Sequence, residues 1–297
     1  MKSSVIGEKR IKNISDVEQL SDLLNLEELS LYGNFITEIK GLDNLENLKK
    51  LVLSNNQIDE IKGLDYLTNL EFLFLDLNNL NEIKGLTTLH KLKTLILSFN
   101  QINRIKNLEN LNSLQNLGLV SNKISEIEGL KYLTELRNLG LSSNIIQKIN
   151  NLDFLFKLEK LQLDNNQISR IENMSNLHNL KELSLGNNYL SQLPNLDYFN
   201  KLEKLDLHSN QIKNCEGIKK IKNLRVLNLS NNKIKDISFL KNLEYLEVVY
   251  LNNNPIEDYS YLLEIRRLKF LEINFRLLPI KAKSQLKKLI AENIQVL

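Results

Sequence analysis

Asp164, Asp206 and His208 are the side chains whose types and spacing come nearest to chemistry in this chain. Asp206 and His208 stand two apart, so an extended strand would place both on one face. There a carboxylate can orient an imidazole for acid–base work, or the two can share a metal. The rest of such a site is missing from the pattern. No second histidine accompanies them, because His90 and His178 fall on the other side of the structural unit, and no nucleophile stands in an obvious partner slot. These residues therefore read as a polar rim. Cys215 is the single cysteine, which excludes an intrachain disulfide, and its slot marks it as a small buried hydrophobe. No phosphate-cradling loop or metal-ligand cluster occurs in the sequence. The expectation is a non-enzymatic chain with no catalytic residue, no metal and no cofactor.

The element that positions these residues is a repeat. LEELSLYGNFITEI, Leu26 to Ile39, recurs as LKKLVLSNNQIDEI from Leu48, LEFLFLDLNNLNEI from Leu70 and LKTLILSFNQINRI from Leu92. The leading leucine returns every 22 residues through Leu246, without insertion or deletion. The pattern LxxLxLxxNxI at this period is that of a leucine-rich repeat solenoid. The predicted fold is α/β, a right-handed horseshoe of 11–12 repeats. Its concave side is a short parallel β-sheet and its convex side 3-10 or short helical, because about eight residues are too few for an α-helical return. The first, fourth and sixth residues of each repeat point into the core, as do the eleventh, fourteenth, seventeenth and twentieth. The ninth is Asn in all eleven units from Leu26 on, Asn34 to Asn254, and reads as a ladder satisfying backbone groups at the turn. The sixteenth is Gly at 41, 63, 85, 129 and 217 and Asn at 107, 151, 173 and 195, which predicts a left-handed turn there.

Residues 1–25 read as an N-terminal cap, with Ser15 and Glu18 as a capping-box pair and Ile14, Val17, Leu20 and Leu23 filling a half repeat. Residues 26–267 are eleven repeats, and residues 268–297 are a degenerate last repeat and a C-terminal capping helix. That helix, after Pro279, puts Ala282, Leu286, Leu289 and Ile290 on one face. Net charge is +3, from 39 basic and 36 acidic residues, too balanced for a nucleic-acid stripe. The N-terminus lacks an apolar leader segment and no run is long enough to span a bilayer. A cytoplasmic monomer is expected, with no nucleic acid, membrane or small-molecule substrate as partner.

The 22-residue spacing, with NxIxxIxGLxxL in the first three repeats, resembles the Sds22-like leucine-rich repeats. That group includes the regulatory subunit of protein phosphatase 1 and the repeat region of bacterial internalins. The resemblance covers roughly residues 14–278. It implies a protein-binding scaffold or adaptor, an Sds22-like regulatory subunit gripping a protein on its concave face. The alternative is an exported internalin-like adhesin or virulence effector binding a host protein. The chain has no Trp, whereas the phosphatase regulator's contacts include one.

The third, fifth and seventh residues of each repeat face the concave side, and the eighth lies at its edge. There Val52, Phe72, Phe74, Leu77, Ile96, Phe99 and Val120 form one apolar patch, which reads either as a docking site or as side chains covering one another. Beside it Gly118, Gly140, Ser142 and Ser143 either admit a bulky partner or relieve crowding. Asp164, Glu182, Lys204, Asp206, His208 and Tyr250 continue the face as orienting polar contacts. On the convex edge, Glu38, Glu60 and Glu82 run parallel to Lys40, Lys62, Lys84 and Lys106, and read as a solvated structural face.

Overall fold

The computed structural model describes residues 2–6, 10–17, 24–291 and 294–297. It contains two compact units, Met1–Ile146 with Asn150–Leu158, and Gln147–Ile149 with Glu159–Leu297. In the first, the strands are β1 (Lys2–Val5), β2 (Leu26–Ser30), β3 (Lys50–Val52), β4 (Phe72–Phe74), β5 (Thr94–Ile96), β6 (Asn116–Gly118) and β7 (Asn138–Gly140). They pair in chain order, all parallel. The second has β8 (Lys160–Gln162), β9 (Glu182–Ser184), β10 (Lys204–Asp206), β11 (Val226–Asn228), β12 (Val248–Tyr250), β13 (Phe270–Glu272) and β14 (Gln295–Val296), again parallel and in order. Each unit is a leucine-rich repeat solenoid.

One repeat shows why the sequence coils. Leu70, Leu73, Leu75, Leu80, Ile83, Leu86 and Leu89 are all at most 1% exposed. Each such side chain contributes about 1.5–3 kcal/mol by leaving water. Only the fourth residue of the repeat lies inside the three-residue strand, flanked by half-buried residues on the open face of the sheet, as at Phe72 and Phe74. Beyond the strand the chain keeps bonding to the next rung, Leu75 N–H to Ile96 O at 2.8 Å and Leu77 N–H to Ser98 O at 2.9 Å.

The asparagine ladder forms as the pattern demands. Asn100 Nδ2 donates to Leu75 O, one rung back, and to Leu97 O of its own rung, both at 3.0 Å. Its Oδ1 accepts from the Leu80 amide at 2.9 Å. The preceding residue, eighth in the repeat, is left-handed at Gly33, Asn55, Leu77, Phe99, Ser121 and Ser143 in the first unit and at Asn165, Asn187, Ser209, Asn231 and Asn253 in the second. The repeat pattern announced a turn here but not its left-handed eighth residue.

The sixteenth residue is left-handed at Gly41, Gly63, Gly85, Gly129, Asn107, Asn151 and Asn173, as expected, but not at Asn195 or Gly217. Where it is left-handed, the return is two separate reverse turns, such as Leu45 N–H to Leu42 O and Leu48 N–H to Leu45 O, both 2.9 Å. At Gly217, Phe239 and Tyr261, where it is not, the segment winds into 3-10 helix at Glu216–Ile218, Ser238–Asn242 and Ser260–Glu264, whereas the return after Asn195, also not left-handed, keeps separate turns. A positive φ interrupts helical winding, so the 3-10 return expected throughout occurs among the described residues only in those repeats.

At the N-terminus, the expected pairing of Ser15 with Glu18 lies outside the described residues, as do Leu20 and Leu23. The short 3-10 turn Ile14–Asp16 follows Asn13, whose backbone amide donates to Asp16 Oδ2 at 3.3 Å. After Pro279 comes α1 (Ile280–Ala291), which buries Ala282, Leu286 and Leu289 as its spacing predicts. The side chain of Ile290 is outside the description. Strands β1 and β14, at the two ends of the chain, are additions that the repeat pattern did not announce.

Candidate protein-binding face

On the first unit, register aligns Val52, Phe74 and Ile96 across β3, β4 and β5, and Phe72 stands between Lys50 and Thr94. All four apolar residues are half-buried. Leu77 and Phe99 share the eighth-residue column one rung apart, 43% and 52% exposed, with φ of 57° at each. Elsewhere that slot holds Gly or Asn, which suit a left-handed backbone, or the small polar Ser. Two exposed apolar side chains in a strained slot are a departure that the packing of the coil does not require. A depression of about 480 Å³ opens beside Phe72 and Phe74, rimmed by Glu27, Glu28, Lys49, Lys50 and Glu71. Val120, two rungs from Phe74, is half-buried at the margin.

The small residues next to the patch do not all leave bare floor. A Cβ on Gly118 would lie 3.0 Å from Ile96 Cδ1 and 3.3 Å from Ser98 Oγ. Gly118 therefore makes room for Ile96 to lean over it, which is the crowding-relief reading.

On the second unit the face is polar and internally satisfied. Glu182 bridges Lys160 at 3.1 Å and Lys204 at 2.9 Å across β8, β9 and β10. The Lys204 ammonium, opposed by partial burial and helped by Lys160, holds the Glu182 carboxyl below its ordinary range. Asp164 accepts from the Ser184 hydroxyl and from the Gly186 amide at 3.0 Å. Asp206 accepts from the His208 amide at 3.0 Å, from His208 Nδ1 at 2.7 Å and from Asn228 Nδ2 at 3.3 Å. Nε2 of His208 faces the Asn187 amide at 3.0 Å, and the ring lies where a Gly186 Cβ would be.

This geometry answers the chemical question raised by the sequence. The imidazole has a carboxylate on one nitrogen, as in an acid–base dyad, but an asparagine amide rather than a nucleophile on the other. Among the described residues no group of three or more His, Cys, Asp or Glu is placed to hold a metal. Cys215 is buried, and that burial, with Asp236 and Glu216 nearby, pushes its thiol well above the ordinary value. Among the described residues no helix is long and apolar enough to cross a membrane.

Sequence reasoning missed two features of the face. Val226, Val248 and Phe270 align across β11, β12 and β13, and the Tyr250 ring packs on Phe270 with centroids 5.4 Å apart. This makes an apolar strip beside the polar rim, and the run of large residues in the third slot was the signal for it. The second residues of the repeats alternate in sign, giving Glu27–Lys49 at 2.9 Å and Glu71–Lys93 at 2.6 Å. The ladders already noticed interlock: Lys84 spans Glu60 at 2.9 Å and Glu82 at 2.8 Å. These pairs are solvent-exposed and supply register more than stability.

With this architecture in view, the chain belongs to the leucine-rich repeat family. The model "Leucine Rich repeats (2 copies)" matches residues 24–66, 90–132, 157–198 and 200–242. Among solved structures, the chain is similar to the internalin InlF of Listeria monocytogenes at 30% identity and TM-score 0.88, covering 99% of this chain and 85% of that one. It is also similar to a leucine-rich repeat protein of Leptospira interrogans, at 26% identity and TM-score 0.86, covering 97% and 81% of the two chains. A third similarity is to a chain in the octameric complex of Latrophilin 3, Unc5D and the leucine-rich repeat protein FLRT2, at 26% identity, TM-score 0.71 and coverage of 86% and 82%. No curated protein matches the sequence.

Proposed function

We propose that this chain is a non-enzymatic protein-binding scaffold that holds its partner on the open face of the sheet. The observation that carries this is the pair Leu77 and Phe99, apolar and exposed in a left-handed slot, beside Phe72, Phe74 and Ile96. Leucine-rich repeat proteins act in general as protein-binding scaffolds, and the FLRT2 structure is itself a complex with protein partners. A preformed sheet loses little entropy on binding, so the apolar anchors of the first unit supply affinity there, and in the second unit Asp164, Glu182, Lys204, Asp206, His208 and Tyr250 offer polar contacts. The test is Phe72→Ser with Phe74→Ser. Capture of the partner should be lost while the thermal transition barely moves; partners that survive the double substitution would refute the assignment of the face.

Two finer readings follow from the scaffold. The likeness to InlF, at 30% identity over almost the whole chain, supports an exported internalin-like binder. The competing reading is a cytoplasmic Sds22-like regulatory adaptor, suggested by the NxIxxIxGLxxL spacing. Fractionation of intact cells separates them: protein in the culture supernatant or on the surface supports the first, and protein confined to the cytosol the second.

A further inference from the structure

Asp76 occupies the seventh slot of its repeat, between Phe74 on β4 and Leu77 at the turn. Its neighbours in the same column are Ser54 and Ser98, and the Ser54 hydroxyl donates to Asp76 Oδ1 at 2.6 Å. The apolar column Val52–Phe74–Ile96 lies on one side of it and the pair Leu77–Phe99 on the other. Among the described residues, no lysine, arginine or histidine pairs with Asp76. Every neighbouring ion pair that the ladders make is elsewhere: Glu71 pairs with Lys93, and Glu60 with Lys62 and Lys84. Asp76 is half-buried in the free chain.

A partner that covered this patch with apolar groups alone would strip water from an unpaired carboxylate. That penalty is large compared with the gain from a few apolar contacts. The patch therefore selects against a wholly apolar partner as strongly as it selects for apolar flanks. We infer that the face formed by Phe74, Ile96, Leu77 and Phe99 around Asp76 docks a partner-protein segment carrying one Lys or Arg between apolar side chains. The cation pairs with Asp76, and the flanking residues sit on the two apolar columns. This rests on the protein-binding role of the face and adds the chemistry of the ligand. The slot elsewhere holds Gly, Asn or Ser, so the two apolar walls at Leu77 and Phe99 are present for contact while Asp76 sets the charge between them.

The probe is a displayed library of random peptides, panned on the full chain and on three variants, Asp76→Asn, Leu77→Asn with Phe99→Asn, and Phe72→Ser with Phe74→Ser. Circular dichroism of each variant confirms that it folds. The wild-type chain should enrich peptides with Lys or Arg flanked by apolar residues. These should bind Asp76→Asn about thirtyfold more weakly or worse, the loss expected when one partner of a desolvated charge pair is removed. They should also lose affinity for both apolar variants, whereas neutral apolar peptides should bind Asp76→Asn better than wild type. Enrichment of neutral apolar peptides that depend on Phe72 and Phe74 but ignore Asp76 would overturn the cation while leaving the binding face intact. Cationic peptides indifferent to Asp76→Asn would overturn it as well. Enriched peptides that bind all variants alike, or no enrichment at all, would bring down both the inference and the face on which it rests.

Discussion

Replacing Asn100 by Ala removes one rung from the asparagine ladder and leaves its neighbours in place. The amide is 9% exposed and makes two short donations and one acceptance. The consequences for its partners differ. Leu75 O keeps Asn78 Nδ2 at 3.1 Å, and Leu97 O keeps Asn122 Nδ2 at 3.0 Å. The Leu80 amide has no second acceptor and is left buried and unpaired. An orphaned buried donor costs roughly 1–3 kcal/mol and each lost hydrogen bond about 1 kcal/mol net, so the substitution should destabilise by about 3–5 kcal/mol. Asn79→Ala is the control: that side chain is exposed, and its loss should stay within about 0.5 kcal/mol. Two assays are needed, because a repeat array can open locally without unfolding as a whole. Urea titration followed by circular dichroism reads the global effect. Native-state hydrogen exchange at Leu80 reads the rung itself and should quicken about a hundredfold or more. A loss under about 1 kcal/mol, unchanged exchange at Leu80, or an equal effect from Asn79→Ala would refute the ladder as a source of stability.

The sixteenth-residue slot supplies a second test. A Cβ on Gly85, at φ +70°, would stand 2.2 Å from Ile61 O, so Gly85→Ala should lower the urea midpoint markedly. Asn107 and Asn151 fill the same slot by donating Nδ2 to the matching carbonyl, Ile83 O at 2.6 Å and Ile127 O at 2.7 Å. Gly85→Asn should therefore be milder than Gly85→Ala by about 1 kcal/mol, and the reverse order would contradict the geometry. Cys215 should resist alkylation in the folded chain and react once urea unfolds it. Burial raises its folded pKa, so the protonated thiol contributes stability that is present below the unfolded thiol pKa and lost as pH rises above it. Stability that rose with pH through that range in the wild type, relative to Cys215→Ala, would contradict the assignment.

Much of this molecule was legible in the repeat. A side chain in the fourth slot has no choice but the core, because one rung of a solenoid buries its apolar face only against the next. Leu73, Leu95 and Leu117 are interchangeable in that sense, and their spacing alone places them. The open-face register of Phe72, Phe74 and Ile96 followed from strand alternation for the same reason. The return segments were less legible. A left-handed sixteenth residue goes with separate turns, yet Gly217, a glycine like Gly85, takes the other form, and a Cβ there would meet Pro194 O and Leu193 O of the preceding repeat. That contact lies one turn away in sequence and is invisible to a pattern read along one repeat.

The sequence by itself determined the coil, the ladder of asparagines and which residues meet solvent on the open face, since these follow from a strict period acting on nearest-neighbour packing. The tertiary structure decided what those exposed residues do to one another. Only in three dimensions does Asp206 take His208 and Asn228 together, while Glu182 is shared by two lysines. Only there do Leu77 and Phe99 prove to be left-handed, with Asp76 beside them lacking a cation among the described residues. Hydrogen bonds and ion pairs between rungs depend on side-chain rotamers across 20–25 residues of intervening chain, so the period that builds the scaffold carries no information about which surface groups it leaves unpaired.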